Sequence, residues 1–178
     1  LLKQKETLSV DMLFAPPLPD DVDTPPIGTL LRPEHGYAFL RSERDAAYWG
    51  SDARCLFLTY DRSGVHCNGD KLSLMLFGYK QLLLSDVEGI AGVPHAFSSR
   101  IQQELNRGGL SQNTVMIDGR DQRPIARLLR LLEFHDLPDE KRVAAADEEG
   151  LLYEGVRQMR TVAMTSDYVL DVFQVDGG

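Results

Sequence analysis

From Gly36 onward the chain is a series of short apolar runs broken by turn residues, a spacing that predicts strands rather than helices. Residues 36–41 and 55–60 are the first two candidates. Residues 71–77 follow, with Leu72, Leu74 and Leu76 alternating against Lys71, Ser73 and Met75. Gly78, Tyr79 and Lys80 then turn the chain into the run 81–86, so a hairpin is expected here. Later candidates are residues 114–118, 126–134, 142–146, 151–156, 158–165 and 168–175. Helix competes in two places. Residues 98–107 suit a short surface helix, and Ala126–Leu132 has good helix formers in Leu and Arg. Strand is favoured for the second because strands surround it. The expected fold class is therefore all-β, a large antiparallel β-sandwich.

The segment before this texture differs. Residues 14–33 carry Pro16, Pro17, Pro19, Pro25, Pro26 and Pro33, with Asp20, Asp21 and Asp23 among them. Proline removes amide donors and fixes φ, so no regular ladder is expected through the stretch. The division that follows is an extended, proline-rich linker over residues 1–35 and a β-sheet domain over residues 36–178. The chain opens on Leu1 without an initiator Met and ends directly after a strand pattern. The expectation is a piece of a larger protein, truncated at its C-terminus, with any export signal upstream.

Composition narrows the function classes. At 178 residues, 43% hydrophobic and 26% charged, the chain is long enough for one domain with its own core. No apolar run approaches the roughly 20 residues a membrane helix needs. A net charge of −8 opposes non-specific nucleic-acid binding. It still permits an acidic polymer as substrate, because local basic residues can form a receptive cleft. Cys55 and Cys67 fit no zinc-finger spacing. Two buried thiols is the simpler reading, and a disulfide would suit an exported protein.

The densest polar knot is residues 63–71, a loop between two strong strand candidates. Gly64 and Gly69 allow tight backbone there, and His66, Asn68 and Asp70 project from it. Asp70 reads as a residue that holds the loop by accepting backbone amides. Asp86 closes the following hairpin. Ser111, Gln112, Asn113 and Thr114 lead into another apolar run, which ends in the turn signal Asp118-Gly119. Other residues have bland readings. Tyr37, Tyr60, Tyr153 and Tyr168 sit in strand patterns as packing residues. Trp49 suits either a sugar ring or a turn edge. His35, His95 and His135 receive no role. Arg120, Arg123, Arg127 and Arg130 read as a solvated face rather than an anion patch.

In order and spacing, four runs resemble the heparinase II/III-like polysaccharide lyases. These are Gly64-Val65-His66 through Leu74, the leucine-rich hairpin to Asp86, Asn113 through Gly119, and Tyr153 through Asp171. The resemblance covers Gly36 to the end and matches the C-terminal β-sheet domain of that family. It implies a supersandwich-like fold, and a missing N-terminal α/α toroid that supplies the rest of the catalytic cleft. It also implies β-elimination on a uronic-acid polysaccharide, with His66 as the catalytic residue from this domain. The chain by itself would then be inactive.

The family's sheet-domain metal positions fall on Asn68, Asp86 and Gln112, so two imidazoles are replaced by carboxamides. Zinc prefers Cys and His ligands, and one carboxylate with two amides is a weak set for calcium. The expectation is no cofactor, and a metal-free hydrogen-bond network among the three residues. The implied partners are an acidic polysaccharide or oligosaccharide and the toroid of the same parent chain, without nucleic acid or a membrane span. The implied location is periplasmic or extracellular. The altered metal positions keep a rival reading open, a non-catalytic structural or carbohydrate-binding module.

Overall fold

The computed structural model describes residues 28–43, 48, 51–62, 68–86 and 99–178. His66, Cys67, Trp49 and His95 lie outside the described residues. The protein is mostly β, with two antiparallel sheets. The first contains β1 (Leu30–Arg32), β2 (Tyr37–Arg41), β3 (Cys55–Thr59), β4 (Leu74–Gly78) and β5 (Gln81–Leu84), paired in chain order. The second contains β6 (Arg130–Asp136), β7 (Lys141–Asp147), β8 (Val156–Met164) and β9 (Val169–Gly177), also in chain order. Among the described residues, no helix is long and apolar enough to cross a membrane.

Alternation explains the first sheet. Ala38 and Leu40 on β2, Leu56 and Leu58 on β3, and Leu74 on β4 are all buried on one face. Tyr37, Phe39, Phe57 and Met75 point the other way and stay half-buried. The register puts Ala38 opposite Leu58, Leu40 opposite Leu56, and Leu58 opposite Leu74, so each inward residue meets an inward neighbour. In the second sheet, Val143 and Ala145 of β7 lie beside Val156, Val162 and Met164 of β8 on the inward face. The two inward faces share one apolar core, joined by Leu72, Leu129, Leu152 and Tyr153 from the connections.

The structure departs from the sequence reading at identifiable points. The proline-bearing stretch joins the sheet at its end, because Leu30, Leu31 and Arg32 lie between Pro26 and Pro33 with their amides free to pair. Gly36 then returns the chain at φ +74. A Cβ at Gly36 would sit 2.5 Å from the Cα of Asp61, so only glycine allows this approach. The approach lets the Tyr60 N–H donate to the Gly36 carbonyl at 2.8 Å.

Residues 114–118 form no strand. Asp118 and Gly119 both take positive φ and close a tight turn bridging Ile117 and Arg120. Of the run 151–156, residues 151–155 form a loop, bridged once from Tyr153 to Val156, where β8 begins. The run 126–134 is a strand only from Arg130. The expected surface helix is reduced to a turn that widens into a π-helical stretch, Gln102–Asn106, followed by a 3-10 turn at Gly109–Ser111.

One buried cation links the sheets to the loops. Arg160 on β8 is 6% exposed although it faces inward. Its Nε and Nη2 donate to the two carboxylate oxygens of Asp171 on β9, at 2.8 and 2.7 Å. Its Nη1 donates to the carbonyls of Leu72, at 2.6 Å, and Asn113. Leu72 holds a left-handed backbone, φ 59, which turns its carbonyl toward this guanidinium. A paired, hydrogen-bonded guanidinium is tolerated inside, whereas removing it strands its partners. Arg160→Met is therefore expected to lower stability by about 3–5 kcal/mol. Urea unfolding of wild type and variant measures this, and a loss under 1 kcal/mol would show that the clasp is dispensable.

Candidate functional site: an acidic pocket at one end of the first sheet

The chain crosses from β3 to β4 through a loop whose described part, residues 68–73, is fixed through its main chain, by backbone partners and by the side chains of Gln122, Thr114 and Arg160. The Leu72 N–H donates to Thr59 O at 2.8 Å and the Thr59 N–H to Ser73 O at 3.1 Å. The Ser73 N–H donates to Asp70 O at 2.9 Å, closing a turn. The Gly69 N–H reaches Arg107 O at 2.8 Å. Gln122 acts as a surrogate strand for Lys71. Its Oε1 accepts the Lys71 N–H at 3.0 Å and its Nε2 donates to Lys71 O at 2.9 Å. Thr114 Oγ1 donates to the same carbonyl at 2.9 Å.

The Lys71 side chain runs inward and is 1% exposed. Its ammonium donates to Asp61 O and, at 3.3 Å, to Arg127 O, and lies 3.7 Å from Asp61 Oδ1. A buried ammonium needs such partners, since an isolated one would cost several kcal/mol or shed its proton. Burial pushes the Asp61 carboxyl up, and Lys71 pulls it part of the way back.

Asp61, Asp70 and Asp86 line one small cavity of about 90 Å³ with Ser73, Thr59, Tyr37, Phe57 and Met75. Asp70 is the perturbed group. Burial raises its carboxyl to about 6, and the charges of Asp61 and Asp86 push in the same direction. Asp86 is held in place, its Oδ1 accepting from Asn113 Nδ2 at 3.1 Å, Ser73 Oγ at 3.3 Å and Asn113 N at 3.4 Å. A carboxyl with pKa near 6 in a cleft can donate a proton or a hydrogen bond near neutral pH, as acid–base chemistry needs. Beside the cavity runs an aromatic row on the outward face of the sheet. His35 stacks on Tyr37 at 6.2 Å, Tyr37 meets Phe57 edge-on at 5.3 Å, and Phe57 meets Phe39 at 4.8 Å.

The three residues matched to metal positions are arranged as follows. Asp86 is tied to Asn113, next to Gln112, while the Gln112 side chain turns away. Its Nε2 donates to Asn106 O at 3.0 Å, and its Oε1 is buried without a partner among the described residues. Flipping the amide would set two oxygens against each other, so this orientation is fixed. Asn68 is half-buried beside Gly69. The donor set does not fit zinc, having no imidazole or thiolate. It also falls short of the roughly six to eight oxygens calcium takes. Among the described residues, no group of three or more His, Cys, Asp or Glu side chains is placed to hold a metal ion.

Other residues singled out from the sequence separate from this pocket. Arg123 pairs with Glu154 at 2.7 Å, Arg130 with Glu148 at 2.5 Å, and Arg127 with Glu149, all at the surface. Tyr153 is buried and donates to Arg120 O at 2.9 Å. Tyr168 is exposed. His135 Nε2 sits 2.9 Å from Glu133 Oε1. Cys55 is half-buried at the start of β3 and carries a free thiol. Sequence reasoning missed Asp61, Lys71 and Arg160 as parts of the site's frame. Asp61 follows a strand without any turn or motif signal, and Lys71 and Arg160 occupy positions that read as ordinary strand alternation.

The two antiparallel sheets define a fold that also forms part of a heparan sulfate lyase. The solved structure of heparan sulfate lyase HepC from Pedobacter heparinus superposes with a TM-score of 0.67 at 15% sequence identity, over 84% of this chain and 22% of that one. A mutant of the same lyase gives the same TM-score and identity over 89% of this chain and 23% of that one. The chain thus spans less than a quarter of the length of those lyases. No protein-family model matches the sequence, and no curated protein matches it in sequence.

The Asp70 carboxyl supplies a test of the pocket. Its folded value, about 6, lies above the ordinary 3.8. Between those values the folded state keeps a proton that the unfolded state releases. The contribution of Asp70 to stability therefore falls as pH rises from about 4 to 6, and stays lost above. Asp70→Asn removes the ionisation and is expected to gain about 1–3 kcal/mol at pH 7.5 relative to its effect at pH 4. Urea unfolding at both pH values measures the difference, and an equal effect at the two would remove the case for a raised Asp70.

Proposed function

We propose that this chain is the β-sheet domain of a polysaccharide lyase that cleaves a uronic-acid-containing polymer by β-elimination. The observation that carries the reading is a fold shared with part of a heparan sulfate lyase, with the most perturbed carboxyl of the described residues in the loop that the resemblance marks as catalytic. In such a reaction a base removes the proton at C5 of the uronate, an acid protonates the leaving oxygen at C4, and the substrate carboxylate must be neutralised. In this reading His66 is the proton-transfer group from the sheet domain. The remaining groups come from an N-terminal toroid of the same parent protein, so the sheet domain alone is inactive. A substrate outside the cell, in the periplasm or beyond, suits this reading.

The charge around the pocket supports an anionic ligand better than the count of acids suggests. Lys71 offsets Asp61, and Asn113 and Ser73 donate to Asp86. Below about pH 6 the protonated Asp70 carboxyl donates a hydrogen bond to a uronate carboxylate instead of repelling it. The loops are joined here without an ion through Asp86, which accepts from Asn113 and Ser73, while Gln112 bonds Asn106 within its own segment. The aromatic row Tyr37, Phe57 and Phe39 favours a second reading, a carbohydrate-binding module without turnover, because ring faces stack on sugars.

His66→Ala in the intact protein separates the two readings. The lyase reading expects release of unsaturated product, followed by ultraviolet absorbance, to fall about a hundredfold or more with the melting temperature unchanged. Saccharide binding without any unsaturated product, in wild type and variant alike, would leave the binding module standing.

A further inference from the structure

A second cleft lies at the opposite end of the first sheet. Ser42, Glu43, Ser51, Asp52, Ala53, Arg54, Tyr79 and Ser166 line it, and its volume is about 300 Å³. Thr59 borders the acidic pocket and Arg54 borders this cleft, so the two are roughly 17 Å apart at about 3.3 Å per residue along β3.

The cleft is built from rigid parts. Arg54 Nη2 donates to Thr165 O and Ser166 O, both at 2.6 Å, which ties the first sheet to the β8–β9 turn. The remaining guanidinium N–H groups have no partner among the described residues. The Arg54 N–H donates to Ser42 Oγ at 2.8 Å, leaving the Ser42 hydroxyl proton available. The β4–β5 hairpin packs directly on this arginine, where a Cβ at Gly78 would come within 2.9 Å of Arg54 Cγ. The Tyr79 N–H reaches Asp52 O at 3.3 Å.

The hairpin tip is strained. Tyr79 and Lys80 hold φ 53 and 61, in a turn where Gly or Asn is the favourable choice. The turn nevertheless carries a tyrosine that is 58% exposed at the rim of a polar cleft. Strain of about 1–2 kcal/mol at a bulky residue persists where the surrounding structure enforces it, here the pairing of Gly78 with Gln81 and the packing of the hairpin on Arg54.

We propose that this cleft is a saccharide subsite for an uncharged sugar residue of the polymer, with Tyr79 stacked on the C–H face of the sugar ring. The ligand class rests on the lyase reading above, while the site itself rests on the cleft. Glu43 and Asp52 supply acceptors, and Ser42 and Arg54 supply donors, so adjacent hydroxyls can be held in pairs. Lys80 lies 3.8 Å from Asp52, but both side chains are largely exposed, so the pair is weak and the carboxylate stays open to ligand. Glu43 and Asp52 face Arg54 and Lys80, so the cleft is close to balanced in charge and suits an uncharged residue, and the lining is too polar for an apolar peptide.

The test is titration calorimetry of the intact protein with an unsulfated octasaccharide of alternating glucuronate and N-acetylglucosamine. Tyr79→Gly relieves the left-handed strain, so its melting temperature is expected to equal or exceed wild type while octasaccharide affinity falls about fivefold. Tyr79→Phe keeps the ring and is expected to bind as wild type. Tyr79→Gly binding within twofold of wild type overturns the subsite and leaves the lyase reading intact. A wild type that neither binds the octasaccharide nor releases unsaturated product removes both.

Discussion

The inward rows of the two sheets meet in a single apolar core, and every other feature is placed relative to it. Leu40, Leu56, Leu58 and Leu74 come from one side, Val143, Val162 and Met164 from the other. Each such side chain contributes about 1.5–3 kcal/mol when fully buried. That contribution makes it tolerable to bring Lys71 and Arg160 to the margin of the core, because the surrounding main chain is rigid enough to present carbonyls to them. A looser core would leave two buried cations unsatisfied.

The ionic arrangement is graded across the molecule. At the surface, arginines 123, 127 and 130 meet glutamates in exposed pairs that matter little to stability. At the core margin, Lys71 and Arg160 are held by carbonyls and one carboxylate each. Between these extremes lies the pocket, where one acid is offset, one accepts several hydrogen bonds and Asp70 holds its proton up to about pH 6. A perturbed group at this intermediate depth is open to solvent yet poorly solvated, and there protonation and ligand binding can be coupled.

Much of the fold was legible from period-two alternation. β2, β3, β7, β8 and β9 fall within a residue or two of the runs that predicted them, because each is a short apolar run bounded by turn residues, with Leu, Val, Ala, Met or Phe set against the core. The failures share a cause. Residues 114–118 and 151–156 are apolar, but their side chains fill the gap between connections and core, so Ile117 and Leu152 are packed without a ladder partner. β1 escaped notice because prolines on both sides masked three pairing residues. The site was legible in part. The loop at Asn68 and Asp70 and the hairpin end at Asp86 were marked by glycines and turn residues. Asp61, Lys71 and Arg160 carry no local signal, since their roles depend on contacts up to 88 positions away in the chain.

The Arg160 clasp reads shape rather than side-chain identity in the loops it holds. At Leu72 and Asn113 it grips carbonyl oxygens, which every amino acid offers in the same place once the backbone is set. Residues along those loops can therefore be exchanged with little penalty to the frame, as long as the turns at Leu72 and Asn113 survive. A scaffold of this kind lets the chemistry of a pocket drift while its geometry is inherited. Side chains at positions such as 68 and 112 can change without the sheets having to be rebuilt around them.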